Sequence, residues 1–123
     1  MSFNILIAED DAFLADTIEV ELSERGAAVR SAKNGEEAIA HIEEQLPDLL
    51  LLDLLMPRKD GYAVLSHVRE KYYRFPIIIL SNLSDEIDRE KCLTLGAKDY
   101  VVKCDIDAEE LWGKVEPYLI KQS

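Results

Sequence analysis

Leu49-Leu50-Leu51-Leu52-Asp53-Leu54-Leu55-Met56-Pro57-Arg58-Lys59-Asp60-Gly61 is an apolar run closed by a carboxylate that opens a segment ending in Asp-Gly. A run that is apolar at every position fits a strand covered on both faces, so the segment predicts a central strand of a parallel sheet, Asp48–Asp53, with Asp53 at its carboxyl end. Two other runs end in charge. Phe3–Ala8 leads into Glu9, Asp10 and Asp11, and Asp99–Val102 leads into Lys103. Side by side, these ends put several carboxylates and one ammonium in one pocket, a cluster suited to a cation and an anion.

Further strands are read at Ala27–Ser31 and Pro76–Ser81. The weaker, alternating Ala27–Ser31 belongs at an edge, and the apolar Ile77–Leu80 at the centre. Between the strands lie amphipathic segments. Leu14, Ile18 and Leu22 mark one face of a first helix that Gly26 caps in the left-handed conformation, and Ala38, Ile39, Ile42 and Leu46 mark a second, stopped by Pro47. A third runs from about residue 62 to 71 with Val64, Leu65 and Val68 inward, and a fourth from about 85 to 95 ends at Gly96. The fifth carries Ala108, Leu111, Val115 and Leu119, with Pro117 inside it predicting a kink or an early end. Five βα alternations of about 25 residues each predict an α/β, flavodoxin-like fold: a five-stranded parallel sheet of order 2-1-3-4-5 with helices on both faces. Ligands of such sheets bind outside the carboxyl ends of the strands, where the order reverses between strands 1 and 3.

The 123 residues suit one domain, 1–123, and 48% hydrophobic with 32% charged residues suits a folded chain. The formal net charge of −11 argues against direct nucleic-acid binding, which relies on excess Lys and Arg. No apolar stretch reaches the roughly 18 residues of a membrane span, and the opening Met-Ser-Phe-Asn lacks a basic leader, so the expected location is cytoplasmic, with no membrane partner. Cys92 and Cys104 have no metal-site spacing and read as free thiols. His41 and His67, on helices without apparent partners, read as surface or packing residues, and Trp112 as a packing residue of the fifth helix.

At the predicted rim, Glu9, Asp10 and Asp53 are hard oxygen ligands that, with a backbone carbonyl and waters, suit octahedral Mg2+. A divalent cation also relieves the repulsion of like charges. Lys103 and the hydroxyl of Ser81 suit the oxygens of a phosphoryl group on Asp53, which makes Asp53 a nucleophile for in-line phosphoryl transfer. Taken singly, each residue has an ordinary explanation: Asp53 as a turn carboxylate, 9–11 as an acidic helix start, Lys103 as a surface lysine, Ser81 as a strand-end turn. Their convergence favours a site.

Four motifs in order, Ile-Leu-Ile-Ala-Glu-Asp-Asp at 5–11, Leu-Leu-Asp-Leu-Leu-Met-Pro-Arg-Lys-Asp-Gly at 51–61, Pro-Ile-Ile-Ile-Leu-Ser at 76–81 and Gly-Ala-Lys-Asp-Tyr-Val-Val-Lys at 96–103, resemble the receiver domains of bacterial two-component response regulators. The resemblance covers essentially the whole chain. It implies a phosphoacceptor switch protein and not a true enzyme, one that assists its own phosphorylation and dephosphorylation. Asp53 would take phosphate from a histidine kinase, a phosphotransfer protein or a small phosphodonor. Asp10, Asp53 and the carbonyl of Leu55 would hold Mg2+, and Glu9 would act mainly through water. Lys103 would pair with the phosphoryl group, and Ser81 and Tyr100 would be the switch hydroxyl and switch aromatic. Read-out would use the face of the fourth helix, fifth strand and fifth helix, about residues 85–121, toward an effector, an output domain or a second copy in a homodimer.

The chain also departs from the family. Cys104 stands where a proline usually follows the lysine, so that loop is either trans and differently shaped or held in a cis form that costs about 2.5–4 kcal/mol. Asn82 replaces a small residue after the switch hydroxyl. Leu55 and Leu83 occupy positions that influence hydrolysis of the phosphoryl group, and being apolar they predict slow self-dephosphorylation. Cys104 and Asn82 leave open a pseudo-receiver, a binding scaffold that signals without phosphorylation. A haloacid-dehalogenase-type phosphatase would place a second Asp two residues after the nucleophile, where this chain has Leu55.

Overall fold

The computed structural model describes residues 3–120; Met1 and Ser2 of the opening stretch, and residues 121–123 of the predicted domain, lie outside the described residues. Five strands alternate with five helices: β1 Asn4–Ala8, α1 Ala12–Glu24, β2 Ala28–Ala32, α2 Gly35–Glu44, β3 Leu49–Leu52, α3 Gly61–Glu70, β4 Ile77–Ser81, α4 Glu86–Thr94, β5 Asp99–Val102 and α5 Ala108–Ile120. All pairings are parallel and the order is β2-β1-β3-β4-β5, as the apolar runs predict.

The pleat divides each central strand between two cores. Ile5, Ile7, Leu49, Leu51, Ile78 and Leu80 face Ile18 and Leu22 of α1 and Leu111, Val115 and Leu119 of α5. Leu6, Ala8, Leu50, Leu52, Ile77 and Ile79 face Ala38 and Ile42 of α2, Val64, Leu65 and Val68 of α3, and Cys92 of α4. Covering both faces explains why these strands carry no polar alternation. It also fixes the register, since a slip of one residue would exchange the two cores.

Side-chain caps start all five helices and thereby fix where the loops of the rim end. Asp11 accepts from Leu14 N at 3.2 Å, Asn34 from Glu37 N at 2.8 Å, Asp60 from Ala63 N at 3.0 Å, Asp85 from Ile87 N at 3.0 Å and Asp107 from Glu110 N at 2.8 Å. Gly26 and Gly96 end α1 and α4 with φ of +95° and +110°, the conformation that glycine adopts without strain.

Three expectations need correction. Leu46 lies beyond α2, which ends at Glu44, and is 46% exposed. The backbone at Gln45 is already extended, in keeping with the proline that soon follows. Of the kink or early end expected at Pro117, the early end does not occur, since α5 continues to Ile120. The proline ring lies on the exposed side of the helix, and the carbonyl left without its amide partner is that of Gly113, also exposed, where water can take it. His67 has a partner: its Nε2 lies 3.4 Å from Glu43 Oε2. The Lys103–Cys104 bond is trans and forms part of a short 3-10 turn, Lys103–Asp105, which settles the open choice for that loop. Cys92 is buried and Cys104 exposed, both as free thiols. Trp112 packs on the α1–α5 core, with the Arg25 guanidinium 5.8 Å from its ring centroid. Among the described residues, no helix is long and apolar enough to cross a membrane.

Candidate functional site

The carboxyl ends of β1, β3, β4 and β5 meet at one rim. Backbone pairing carries the ladder one residue past the strands: Asp53 N donates to Ala8 O at 3.0 Å, and Glu9 N to Ala32 O at 3.0 Å. Glu9 and Asp53 are thereby set at equivalent heights on neighbouring strands, with Asp10 one residue outward. Carboxylate oxygens of Glu9, Asp10 and Asp53 all lie within 4.8 Å of one another; Glu9 and Asp53 are buried and Asp10 is exposed.

Lys103 enters from the end of β5. Its Nζ stands 3.0 Å from Asp53 Oδ2 and forms a second ion pair with Glu9 Oε1. Asp53 Oδ1 accepts from the Leu55 amide at 3.3 Å, and Glu9 Oε2 accepts from the Asp11 amide at 3.1 Å. Burial pushes the Glu9 carboxyl up to about 7, with the charge of Asp53 adding to the effect and the Lys103 and Asp11 hydrogen bonds opposing it. Burial also works against the Lys103 ammonium. The hydrogen bonds it donates to Glu9 and Asp53, helped by their charges, outweigh it and hold the lysine above its ordinary pKa. Three carboxylates, two of them sharing the Lys103 ammonium, form an electron-rich oxygen cluster, and its donor set and excess negative charge fit a hard divalent cation.

Ser81 is fully buried at the end of β4, its Oγ accepting from Leu83 N at 3.2 Å. Tyr100 is buried too, and its hydroxyl donates to Leu83 O at 2.6 Å, so the ring already lies inward, against the loop that follows Ser81. Leu55 is 59% exposed, Asn82 is exposed and Leu83 is half-buried. Every residue singled out for the site in the sequence therefore borders this rim or the loops that leave it. The ion pair between Lys103 and Glu9 was not anticipated, since the lysine was assigned to an anion alone.

One structural determinant of the site escaped the sequence reading. A Cβ at Gly61 would overlap the Asp53 carbonyl oxygen and stand 2.8 Å from Leu54 Cα, while Gly61 N donates to Leu54 O at 2.9 Å. The start of α3 is thus pressed against the backbone that carries Asp53. The Asp60-Gly61 pair was the available signal, legible as a turn but not as a close approach. The intervening loop holds Arg58 and Lys59 at φ of 49° and 75°, and their carbonyls accept from Glu36 N and Gly35 N at the start of α2, at 3.1 and 3.0 Å.

A family model described as "Response regulator receiver domain" matches residues 5–116. Over 99 residues the chain is 43% identical to "Probable transcriptional regulator ycf27" of Guillardia theta, a match that takes in 80% of this chain and 39% of that protein. Among solved structures, the Francisella response regulator 1452 receiver domain is similar with a TM-score of 0.93 at 29% identity, covering 99% of this chain and 100% of that one. The CheX-CheY-BeF3-Mg+2 complex from Borrelia burgdorferi contains a chain similar at a TM-score of 0.87 and 30% identity, over 94% of this chain and 87% of that chain.

Proposed function

The chain belongs to the response regulator receiver domains, and from that membership we propose that Asp53 is the phosphoacceptor of a Mg2+-dependent signalling switch. The observation that carries the reading is the buried Asp53 carboxylate held 3.0 Å from Lys103 inside the Glu9–Asp10–Asp53 oxygen cluster. Receiver domains bind Mg2+ at such an acidic pocket and serve two-component signalling as switches. In this chain Asp10, Asp53 and the Leu55 carbonyl are the proposed direct ligands, with Glu9 acting through water. When bound, the ion neutralises charge on the transferring phosphoryl group.

In the proposed step, a carboxylate oxygen of Asp53 attacks the phosphorus of a histidine kinase, a phosphotransfer protein or a small phosphodonor. The new O–P bond forms as the bond from phosphorus to the donor breaks, and the donor atom keeps the electron pair. Lys103 exchanges its contact with the Asp53 oxygen for one with the phosphoryl oxygens. The Ser81 hydroxyl turns from Leu83 N toward the phosphoryl group, and Tyr100 stays packed inward behind it. The α4–β5–α5 face is the proposed read-out surface, for an effector, an output domain or a second copy of the chain. The curated relative in Guillardia theta is longer than this chain, and transcriptional output is one form the response could take.

Incubation with acetyl phosphate is expected to add one phosphoryl group to the intact mass only when Mg2+ is present. Uptake independent of Mg2+, or no uptake by the folded chain, contradicts the reading; the second result favours a scaffold that signals without phosphate. Asp10→Asn is expected to raise the Mg2+ needed for half-maximal uptake by about tenfold or more, because one unit of charge at contact distance is worth at least ~1.4 kcal/mol here. Titration of uptake against Mg2+ checks this, and an unshifted curve excludes Asp10 as a ligand.

The aspartyl phosphate is expected to be long-lived. Water must be oriented for attack on phosphorus, and the Leu55 and Leu83 side chains offer it neither donor nor acceptor. Following the decay of the phosphorylated mass after donor removal should show a lifetime of many minutes. Loss within seconds would overturn the assignment of these two leucines.

A further inference from the structure

The helix α4 is weakly anchored. It buries one side chain, Cys92, whereas α1 and α2 each bury three residues and α3 buries four. Polar contacts supply the rest. Arg89 donates to Tyr100 O at 3.2 Å, and Thr94 O at the helix end accepts from Arg69 at 2.9 Å. At the amino-terminal half the contact is Tyr62 of α3, whose hydroxyl donates to Asp88 Oδ1 while Lys91 Nζ sits 4.2 Å from its ring centroid. One α3 side chain thus engages two successive turns of α4. Its ring also packs on the core cluster that contains Cys92.

Tyr62 is the residue after Gly61, and Gly61 is pressed against the Asp53 carbonyl with its amide on Leu54 O. The backbone from Asp53 to Tyr62 therefore offers little slack, since a glycine with no room for a methyl group lies between them. A shift at Asp53 reaches the Tyr62 ring through that contact and the Asp88 carboxylate through its hydroxyl. This route is separate from the one through Ser81 and Tyr100 on the adjacent strands.

We propose that Tyr62 is a positioning residue that latches the amino-terminal half of α4 to the phosphoacceptor loop, so that α4 takes its position from the state of Asp53. The assignment rests on the receiver reading for its input and on the Tyr62–Asp88–Lys91 contacts for its output. Desolvation and the Asp88 contact both raise the tyrosine's pKa, so the hydroxyl stays protonated as the donor at physiological pH. Two energetic features make the contact count. A hydrogen bond to a charged acceptor is among the stronger kinds, and a helix with one buried side chain depends on its few polar contacts.

The test is hydrogen–deuterium exchange over residues 85–95 in the native chain, Tyr62→Phe, Asp88→Ala and the double variant, each with and without acetyl phosphate and Mg2+. Phosphoryl uptake is followed by intact mass on the same samples. Without donor, each single variant is expected to exchange about three- to tenfold faster in this segment, the effect of losing one hydrogen bond on a local opening. Residues 49–53 should keep native protection. The double variant should add little to either single one, as for two partners in one contact. With donor, the native chain should change its exchange over 85–95, and the variants should take up phosphate while showing a smaller change. Variants that take up phosphate with native exchange and a native response overturn the proposal, and additive single effects overturn the pairing. A native chain that takes up no phosphate overturns the receiver reading and the coupling with it, an outcome distinct from normal uptake with an unaltered response.

Discussion

Gly61→Ala is expected to destabilise the fold and disable the site together. In an exposed helix, glycine to alanine gains up to ~1 kcal/mol through propensity and a smaller loss of chain entropy. At Gly61 the added methyl meets the Asp53 carbonyl oxygen, with Leu54 Cα at 2.8 Å and the Asp53 carbonyl carbon at 3.1 Å. These are backbone atoms at the end of a buried strand, with no rotamer through which to give way. Overpacking of this kind costs ~1–3 kcal/mol or more, so the loss outweighs the gain. Gly113 in α5 is the internal control, because a Cβ there meets nothing within 4 Å. Urea denaturation should move the midpoint down for Gly61→Ala and up for Gly113→Ala. Phosphoryl uptake by Gly61→Ala should fall by ~100-fold, the scale of a reacting group displaced by about 1 Å. Equal shifts of both variants in the same direction would contradict the close approach.

Asp53→Asn is expected to keep the fold and lose phosphoryl uptake entirely. The substitution is nearly isosteric and leaves Lys103 its partner Glu9, so the ammonium is not stranded. What disappears is the oxygen nucleophile, since an amide in its place neither attacks phosphorus at a useful rate nor gives Mg2+ an anionic ligand. Intact mass with acetyl phosphate and Mg2+ should show no added group while the circular dichroism spectrum stays native. Continued uptake would point to a different acceptor, a neighbouring carboxylate of Glu9 or Asp10 or the Ser81 hydroxyl.

The parallel sheet was legible because its signals are local. Leu49–Leu52 and Ile77–Leu80 are apolar at every position, which a strand exposed on one face would not tolerate, and the length of each βα alternation left few topologies. Misreadings arose where one position carries two meanings. Leu46 continues the helical spacing of Ile39 and Ile42 but lies next to Pro47, and the constraint from proline prevailed. Pro117 carries a breaker signal that an exposed helix face can absorb.

The convergence of Glu9, Asp10, Asp53, Ser81 and Lys103 was legible because each ends or follows a strand of known order. The sharing of Lys103 between Glu9 and Asp53 was not, because it depends on how deeply Glu9 is buried, and burial of a residue just past a strand is a tertiary property. The contacts of Tyr62 were hidden for the same reason. They join α3 to α4 across 26 residues of sequence, and no spacing rule reports on them.

In the proposed reaction the Asp53 carboxylate itself becomes the mixed anhydride with phosphate. Borohydride reduces an acyl phosphate to an alcohol and leaves free carboxylates intact, so peptide mass mapping after donor, Mg2+ and borohydride treatment identifies the acceptor residue. Reduction is expected at Asp53 and at no other residue, dependent on both donor and Mg2+. Reduction at Glu9 or Asp10 instead, or a phosphoryl group that survives on Ser81, would contradict that expectation.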